Sequence, residues 1–246
     1  MTARRFFVEG NREIGSVVEI GGGDAHKIAH VLRLRQGDRI EIIDSHTRTF
    51  VATIGEIGHT VRATLIERSS EPSRRTAASA VTVDVAQAVP KAGRMELVVE
   101  KCTELGANAF LPFYSERSVT RNVGSERLAR WQRLARTAAQ QCGRREIPEI
   151  LAPLEFEALV TRFARYGTVL FAWEMAQPFA LQERLRSLLP SSGSVLVVVG
   201  PEGGFTHNEA DLAVQHRAAL LWLGPRILRT DTAAIVLLAV IGSFAS

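Results

Sequence analysis

The chain contains few cysteines and few lysines, and it lacks a long hydrophobic run. Its two cysteines, Cys102 and Cys142, lie far apart, and neither is flanked by the spacings of zinc or redox motifs. The longest apolar stretch, residues 233–244, is too short to cross a bilayer, so we interpret it as a buried helix. We expect no secretory signal and no membrane anchor. These absences argue against a disulfide scaffold and predict a cytoplasmic protein with two free thiols.

Positive charge is carried almost entirely by arginine. Of the 30 basic residues, only Lys27, Lys91 and Lys101 are lysines, and the formal net charge is +4. Arginine forms planar contacts with phosphates and stacks on bases, so the excess favours an anionic partner such as a nucleic acid. GC-rich codon usage would explain the same bias, and composition alone leaves both explanations open.

The first seventy residues have the pattern of a small β-rich domain. Short β-branched segments bounded by glycine or polar turns predict strands over residues 5–8, 16–20, 38–43, 49–54 and 61–66. Between the second and third of these, helical spacing after Asp24 predicts one helix over 24–33. We therefore predict a small β-barrel with one helix over residues 1–70. The polar, proline-containing residues 71–79 are the predicted linker.

From residue 80 onward, strand-like segments alternate with helical ones. The sequence predicts strands over 81–85, 109–113 and 168–172 and helices over 95–105, 126–141 and 179–189. Such alternation is typical of a mostly parallel sheet covered by helices. The predicted fold class is therefore α/β for residues 80–246.

Two glycine-bearing turns near the C-terminus are the most informative local feature. The first glycine turn, residues 200–204, follows the apolar run 194–199, and the second glycine turn, residues 224–232, follows the apolar run 218–223. Glycine at the carboxyl end of a parallel strand lets a ligand approach the backbone closely. Thr206 and Glu209 have the spacing of a capping box for the next helix. The pair of turns predicts one binding crevice built from both.

The chemistry of the first glycine turn argues against a phosphate ligand. Neither turn matches the P-loop or the dinucleotide fingerprint, and the charge of Glu202 would repel a phosphate. A carboxylate beside open amides suits an ammonium, a sulfonium or sugar hydroxyls, and S-adenosylmethionine carries all three. The alternative is that these glycines only make tight turns between strands and helices.

Together, the turns resemble the RsmE family of SPOUT methyltransferases. The resemblance is carried by Gly-Pro-Glu-Gly-Gly at 200–204, Glu209, and Leu-Gly-Pro-Arg-Ile-Leu-Arg-Thr at 223–230. Other pieces follow in the order of the family and extend the resemblance over nearly the whole chain: residues 30–33, Lys91, Arg94, Glu96, 100–106, Pro112, 115–117, 141–144 and 147–149.

The resemblance implies a fold and an activity. It implies an N-terminal PUA-like RNA-binding barrel and a C-terminal domain whose chain forms a trefoil knot, assembled as a homodimer. It also implies S-adenosylmethionine-dependent methylation of uridine N3 in 16S (small-subunit) ribosomal RNA. Two alternatives stay open: a non-catalytic RNA-binding or ribosome-assembly protein, and a SPOUT enzyme that methylates the ribose 2′-hydroxyl. A dinucleotide oxidoreductase lacks support in the turns.

Arginine suits the chemistry of uridine N3, because negative charge on the uracil oxygens needs cationic donors. Arg229 is the first candidate for this catalytic role, and the resemblance adds Arg117, Arg144 and Asp231. The family usually has glutamate at the positions of Asp231 and Gln140. Because glutamine lacks the negative charge of glutamate, Gln140 is not predicted to be a general base.

The remaining site residues follow from the resemblance and from their position at strand ends. The cofactor-binding candidates are Leu170, Phe171, Gly200, Pro201, Glu202, Gly203, Leu223, Gly224, Ile227, Leu228 and Thr230. The RNA-binding candidates are Arg4, Arg5, His30, Arg33, Lys91 and Arg94. No metal site is predicted, and we expect Trp131, Trp173 and Trp222 to lie in the core.

Overall fold

The computed structural model describes residues 4–69, 81–91 and 93–244. Within these, the chain divides into two compact units. The first contains residues 4–69 and 139–146, and the second contains the other described residues. The predicted linker, 71–79, lies outside the described residues.

The first unit is a five-stranded sheet with one short helix. Strands β1 and β3 pair in parallel, the other neighbours pair antiparallel, and the order across the sheet is β1-β3-β4-β5-β2. The predicted helix begins earlier than expected and continues as a π-helical turn over Lys27–Val31. In chain order the elements are β1 (Arg5–Phe7), β2 (Val17–Ile20), α1 (Gly22–His26), β3 (Arg39–Ile43), β4 (Thr49–Ile57) and β5 (Val61–Arg68).

Alternation of side chains along these strands builds the core of the first unit. Val61, Ala63 and Leu65 of β5 are buried, whereas Arg62 between them is exposed, because successive side chains in a strand point to opposite faces. Together with the other inward-facing residues, they pack around the fully buried Ile28.

Residues 139–146 belong to the first unit although they are distant from residues 4–69 in sequence. They include the last turn of a helix, Ser125–Cys142, that begins in the second unit. In this unit, Nε2 of Gln140 donates a hydrogen bond to a carboxylate oxygen of Asp24 at 3.0 Å. The guanidinium of Arg5 binds the carboxylate of Glu41 at 2.6 Å and donates to the carbonyl of Gly143. The first domain predicted from the sequence, residues 1–70, did not include residues 139–146, whereas their contacts group them with it.

The second unit contains a seven-stranded sheet whose paired strands all run parallel. The order is β12-β10-β11-β6-β7-β8, and β9 pairs with β7. This confirms the predicted α/β class. The elements are β6 (Val81–Ala88), α2 (Arg94–Glu104), β7 (Ala109–Tyr114), α3 (Ser125–Cys142), β8 (Glu149–Ile150), β9 (Leu154–Glu155), α4 (Phe156–Val160), β10 (Thr168–Ala172), α5 (Leu181–Leu188), β11 (Gly193–Val199), α6 (His207–Gln215), β12 (Ala219–Leu221) and α7 (Thr230–Phe244). The last turn of α3, from residue 139 onward, belongs to the first unit.

Helices bury both faces of this sheet. Leu170 and Phe171, neighbours on β10, enter different apolar clusters, because successive side chains point to opposite faces. Helix α7 contributes Leu237 and Leu238 to the first cluster, which confirms a buried helix over residues 233–244. Among the described residues, no helix is long and apolar enough to span a membrane.

Candidate functional site

Three neighbouring strands of the second unit end at the same edge of the sheet. Ala172, the last residue of β10, is in register with Val199 at the end of β11 and with Leu221 at the end of β12. The loops that leave these strands enclose a cavity of about 430 Å³, which we call the glycine-turn pocket. Its lining consists of residues 172–174, 199–205 and 222–230, with Arg94 and Ala233. This location and size are typical of small-molecule sites in parallel sheets.

Glycine is required in both turns by backbone conformation. Gly204 has φ +69° and Gly224 has φ +116°, a region that L side chains rarely adopt. A Cβ atom on Gly204 would also collide with the carboxylate of Glu174. The first glycine turn can therefore lie directly against Glu174.

A buried hydrogen-bonded chain connects three elements beneath the pocket. The hydroxyl of Thr230, at the start of α7, donates to the carbonyl oxygen of Gly200 and accepts a hydrogen bond from Nε2 of Gln87 at 2.7 Å. Gln87 is completely buried near the end of β6. These two hydrogen bonds link β6 and the first glycine turn to α7.

The other side of the first glycine turn is held by α6. The predicted capping box is confirmed: the backbone N–H of Thr206 donates to Glu209, and that of Glu209 donates to Thr206 Oγ1. Glu209 also accepts the backbone N–H of Glu116 at 3.0 Å, and Arg117 donates to the carbonyl of Gly203 at 2.9 Å. The Arg117 side chain thus contacts the turn from outside the pocket lining.

Charged side chains of both signs line the pocket. The cations are Arg94, Arg226 and Arg229, and the carboxylates are those of Glu174 and Glu202. Oε1 of Glu202 accepts the backbone N–H of Lys91 at 2.9 Å. Glu174 forms no hydrogen bond or ion pair with any described residue. One carboxylate therefore already has a partner in the protein, and the other does not.

Asp231 is not part of the pocket lining, although its neighbour Thr230 is. Its Oδ1 is 3.6 Å from Nη1 of Arg94, and its side chain is 11% exposed. That oxygen is buried and accepts no hydrogen bond within the described part of the chain. Asp231 is therefore positioned to orient Arg94 by charge.

The structure brings most of the predicted cofactor residues into one place. Leu170 and Phe171 are the exceptions, since their side chains are fully buried in the core and Ala172 is the β10 residue that reaches the pocket. Two residues predicted for other roles also line the pocket, Arg229 and Arg94. The predicted cofactor residues in the lining are Gly200, Pro201, Glu202, Gly203, Leu223, Gly224, Ile227, Leu228 and Thr230.

Several predicted residues lie elsewhere. Arg144 belongs to the first unit, as do four of the RNA-binding candidates. Three of these, Arg4, His30 and Arg33, are exposed, whereas the side chain of Arg5 is largely buried in its ion pair. Lys91 has an exposed side chain in the second unit.

Sequence reasoning missed several residues of the pocket. Trp173 and Trp222 were expected in the core, but both are only partly buried and line the pocket, whereas Trp131 is fully buried as predicted. Glu174 and Arg226 are pocket residues that the sequence did not predict as site residues. Their position in the sequence could have indicated them as site residues, because each follows the end of a strand by a few residues.

Comparisons with known proteins agree with this architecture. The family model described as an RNA methyltransferase domain matches residues 77–242, and that of an RNA methyltransferase PUA domain matches residues 20–65. A Synechocystis protein named ribosomal RNA small subunit methyltransferase E is 33% identical over 98% of this chain and 78% of its own length. The Bacillus subtilis protein of that name is 29% identical over 97% of this chain and 95% of its own length.

Solved structures of methyltransferases also match nearly the whole chain. Ribosomal RNA small subunit methyltransferase E from Neisseria gonorrhoeae, bound to S-adenosylmethionine, is 26% identical with a TM-score of 0.85, covering 99% of this chain and 98% of that one. A Legionella pneumophila protein in complex with the same cofactor is 28% identical, again with a TM-score of 0.85 and the same coverage. The pocket geometry, the two family matches and these relatives together show that the chain belongs to the RNA methyltransferase family.

Proposed function

We propose that the protein uses S-adenosylmethionine to methylate N3 of a uridine in 16S ribosomal RNA of the small subunit. The observation that carries the proposal is the glycine-turn pocket, in which both turns meet beside Arg229 in a chain of this family. Relatives named small subunit methyltransferase E, one of them solved with this cofactor, support both the substrate class and the cofactor.

The pocket fits the cofactor in size and chemistry. Its volume of about 430 Å³ lies in the usual range for small-molecule sites. Leu223, Ile227 and Leu228 line the pocket, and their backbone groups are assigned to the adenine. Gly200, Glu202 and Gly203 of the first glycine turn are assigned to the ribose and the methionyl part. When bound, S-adenosylmethionine supplies the methyl group.

The protein's own contribution is positioning and charge. Uridine N3 carries a weakly acidic imide proton, and its loss spreads negative charge onto the uracil oxygens. Arg229 is exposed at the pocket and supplies a permanently protonated guanidinium for this charge. The positive N-terminal end of α7, which begins at Thr230, adds to the same field. Solvent accepts the proton once the anion is stabilised, so no dedicated base is required.

RNA recognition is assigned to the first unit as a PUA-like domain. The PUA family match lies within it, and the exposed Arg4, His30 and Arg33 can reach phosphates. In the second unit, the exposed Lys91 and the pocket residue Arg94 are assigned to RNA binding as well. Supporting roles in the reaction are assigned to Arg117, which contacts the first glycine turn, and to Arg144 of the first unit. The proposal includes a cytoplasmic homodimer with the trefoil knot in the C-terminal segment, as the resemblance implies.

Calorimetry with the purified protein, followed by a transfer assay, tests this function. We expect S-adenosylmethionine to bind without RNA, and labelled methyl groups to enter small subunits purified from cells that lack the protein. Absence of cofactor binding would favour the non-catalytic RNA-binding alternative. Transfer to a ribose hydroxyl would favour the 2′-O-methylating alternative.

A further inference from the structure

We propose that Glu174 binds the cationic end of S-adenosylmethionine, an inference that rests on the proposed function. From the sequence, Glu202 is the carboxylate expected in this role. In the structure, however, a carboxylate oxygen of Glu202 accepts the backbone N–H of Lys91 at 2.9 Å. Glu174 lines the same pocket and has no hydrogen-bond or ion-pair partner among the described residues. Glu174 is thus the pocket carboxylate that is available to a ligand.

The first glycine turn lies directly against this carboxylate. Gly204 has φ +69°, and a Cβ atom at this position would collide with the carboxylate of Glu174. Glu174 follows the end of β10 by two residues, so the strand fixes the origin of its loop. Because Gly204 has no side chain, the carboxylate of Glu174 can lie against the backbone of the turn at the pocket wall.

Charge balance gives this arrangement its specificity. Three arginines line the pocket, and their field repels a ligand ammonium or sulfonium unless a carboxylate lies beside it. The methionyl part of S-adenosylmethionine carries a carboxylate as well, which suits the arginines. Glu174, after β10, and the arginines, from α2 and the second glycine turn, therefore complement a ligand that carries both charges.

Isothermal titration calorimetry of the full-length Glu174→Gln variant tests the assignment directly. We expect S-adenosylmethionine to bind about tenfold more weakly, since a charge-assisted contact at an exposed site is lost. We expect 5′-methylthioadenosine, which has the nucleoside but neither cation, to bind within about twofold of the wild-type affinity. Equal weakening of 5′-methylthioadenosine would overturn the proposal, because Glu174 would then act on the nucleoside or on the fold.

S-adenosylhomocysteine, which keeps the ammonium but lacks the sulfonium, identifies the contacted group. Weaker binding of both charged ligands would assign Glu174 to the ammonium, and weaker binding of S-adenosylmethionine alone would assign it to the sulfonium. Either result supports the proposal, and unchanged affinity for both contradicts it.

Two further variants complete the experiment. Glu157→Gln, on the exposed face of α4 and outside the pocket, controls for the loss of one negative charge. Glu202→Gln should weaken binding less than Glu174→Gln, and a larger loss would return the role to Glu202. A wild-type protein that binds no S-adenosylmethionine would overturn the proposed function as well. Wild-type binding with an unaffected Glu174→Gln variant would overturn the inference alone.

Discussion

Asp231 and Gln140 occupy positions where the resembled family usually has glutamate. Gln140 is 2% exposed and donates to the carboxylate of Asp24, so a glutamate in its place would bring two like charges together. Asp231 retains the negative charge but approaches Arg94 only to 3.6 Å, beyond normal hydrogen-bond distance. The glutamine at position 140 is therefore explained by its hydrogen bond to Asp24. The aspartate at position 231 interacts with Arg94 by charge and without a hydrogen bond.

Asp231→Asn should lower the turnover of RNA methylation about tenfold, because Arg94 loses the charge that orients it at the pocket. The affinity for S-adenosylmethionine, measured by calorimetry, should change little. Asp231→Glu should retain wild-type turnover or exceed it, since its longer side chain can reach the guanidinium. If Asp231→Asn were as active as the wild type, Asp231 would have no positioning role.

Arg229→Ala should lower kcat/KM for RNA about 100-fold, because it removes a charged donor from the uracil oxygens. Cofactor affinity should stay within about threefold. The carbonyl of Arg229, which accepts the backbone N–H of Ala233, is retained in this variant, so α7 keeps its first turn. A variant with full turnover would reassign Arg229 to structure.

Several elements were predictable from local sequence. The run 168–172 is β10 as predicted, because it is a short segment of β-branched and aromatic residues that begins directly after Gly167. The capping box was readable from the spacing of Thr206 and Glu209. The order of strands was not readable, because parallel pairing joins segments far apart in the chain. The positions of Trp173 and Trp222 at the pocket depend on that order, which explains why they were misassigned to the core.

At the start of α7, Thr230→Val should lower the free energy of unfolding by about 1–3 kcal/mol, because buried Gln87 Nε2 and the Gly200 carbonyl lose a partner. Thermal unfolding of the second unit measures the loss. Thr232→Val, two residues further along α7 and only partly buried, is the matched control and should be nearly neutral. Equal effects of the two variants would show that the buried chain is not stabilising.

The turn between β3 and β4 should make the first unit sensitive to acid. Burial raises the pKa of Asp44, but hydrogen bonds from the backbone of Arg48, Arg12 and His46 and from the Arg48 side chain outweigh this and leave it below its usual value. A lowered pKa contributes stability that is complete above the unfolded value of about 4 and is lost as the pH falls through the folded value.

Asp44→Asn should therefore destabilise the first unit at pH 7, and its difference from wild type should shrink below about pH 4. Urea unfolding at several pH values measures this. Asp211→Asn, on an exposed position of α6, should show no such trend. A difference that is independent of pH would contradict the account of Asp44.

At the scale of the whole molecule, each unit carries one part of the proposed function. The β-rich unit contains the PUA match and exposed basic residues, and the α/β unit contains the glycine-turn pocket. The sequence predicted both fold classes because strand and helix periods are local properties. It did not reveal that residues 139–146 join the first unit, since that depends on contacts distant in sequence. The position of Glu174 near a strand end was readable, but the pocket that it lines forms only where β10 and the two turns meet.

Mass-spectrometric mapping of modified nucleotides shows directly whether the protein methylates uridine N3 in 16S ribosomal RNA. Small subunits from cells lacking the protein would be incubated with the purified protein and S-adenosylmethionine, and their ribosomal RNA would be digested and analysed. The account predicts one new N3-methyluridine, absent without the cofactor and strongly reduced with Arg229→Ala. A methyl group on a ribose 2′-hydroxyl, or no methyl group at all, would contradict it.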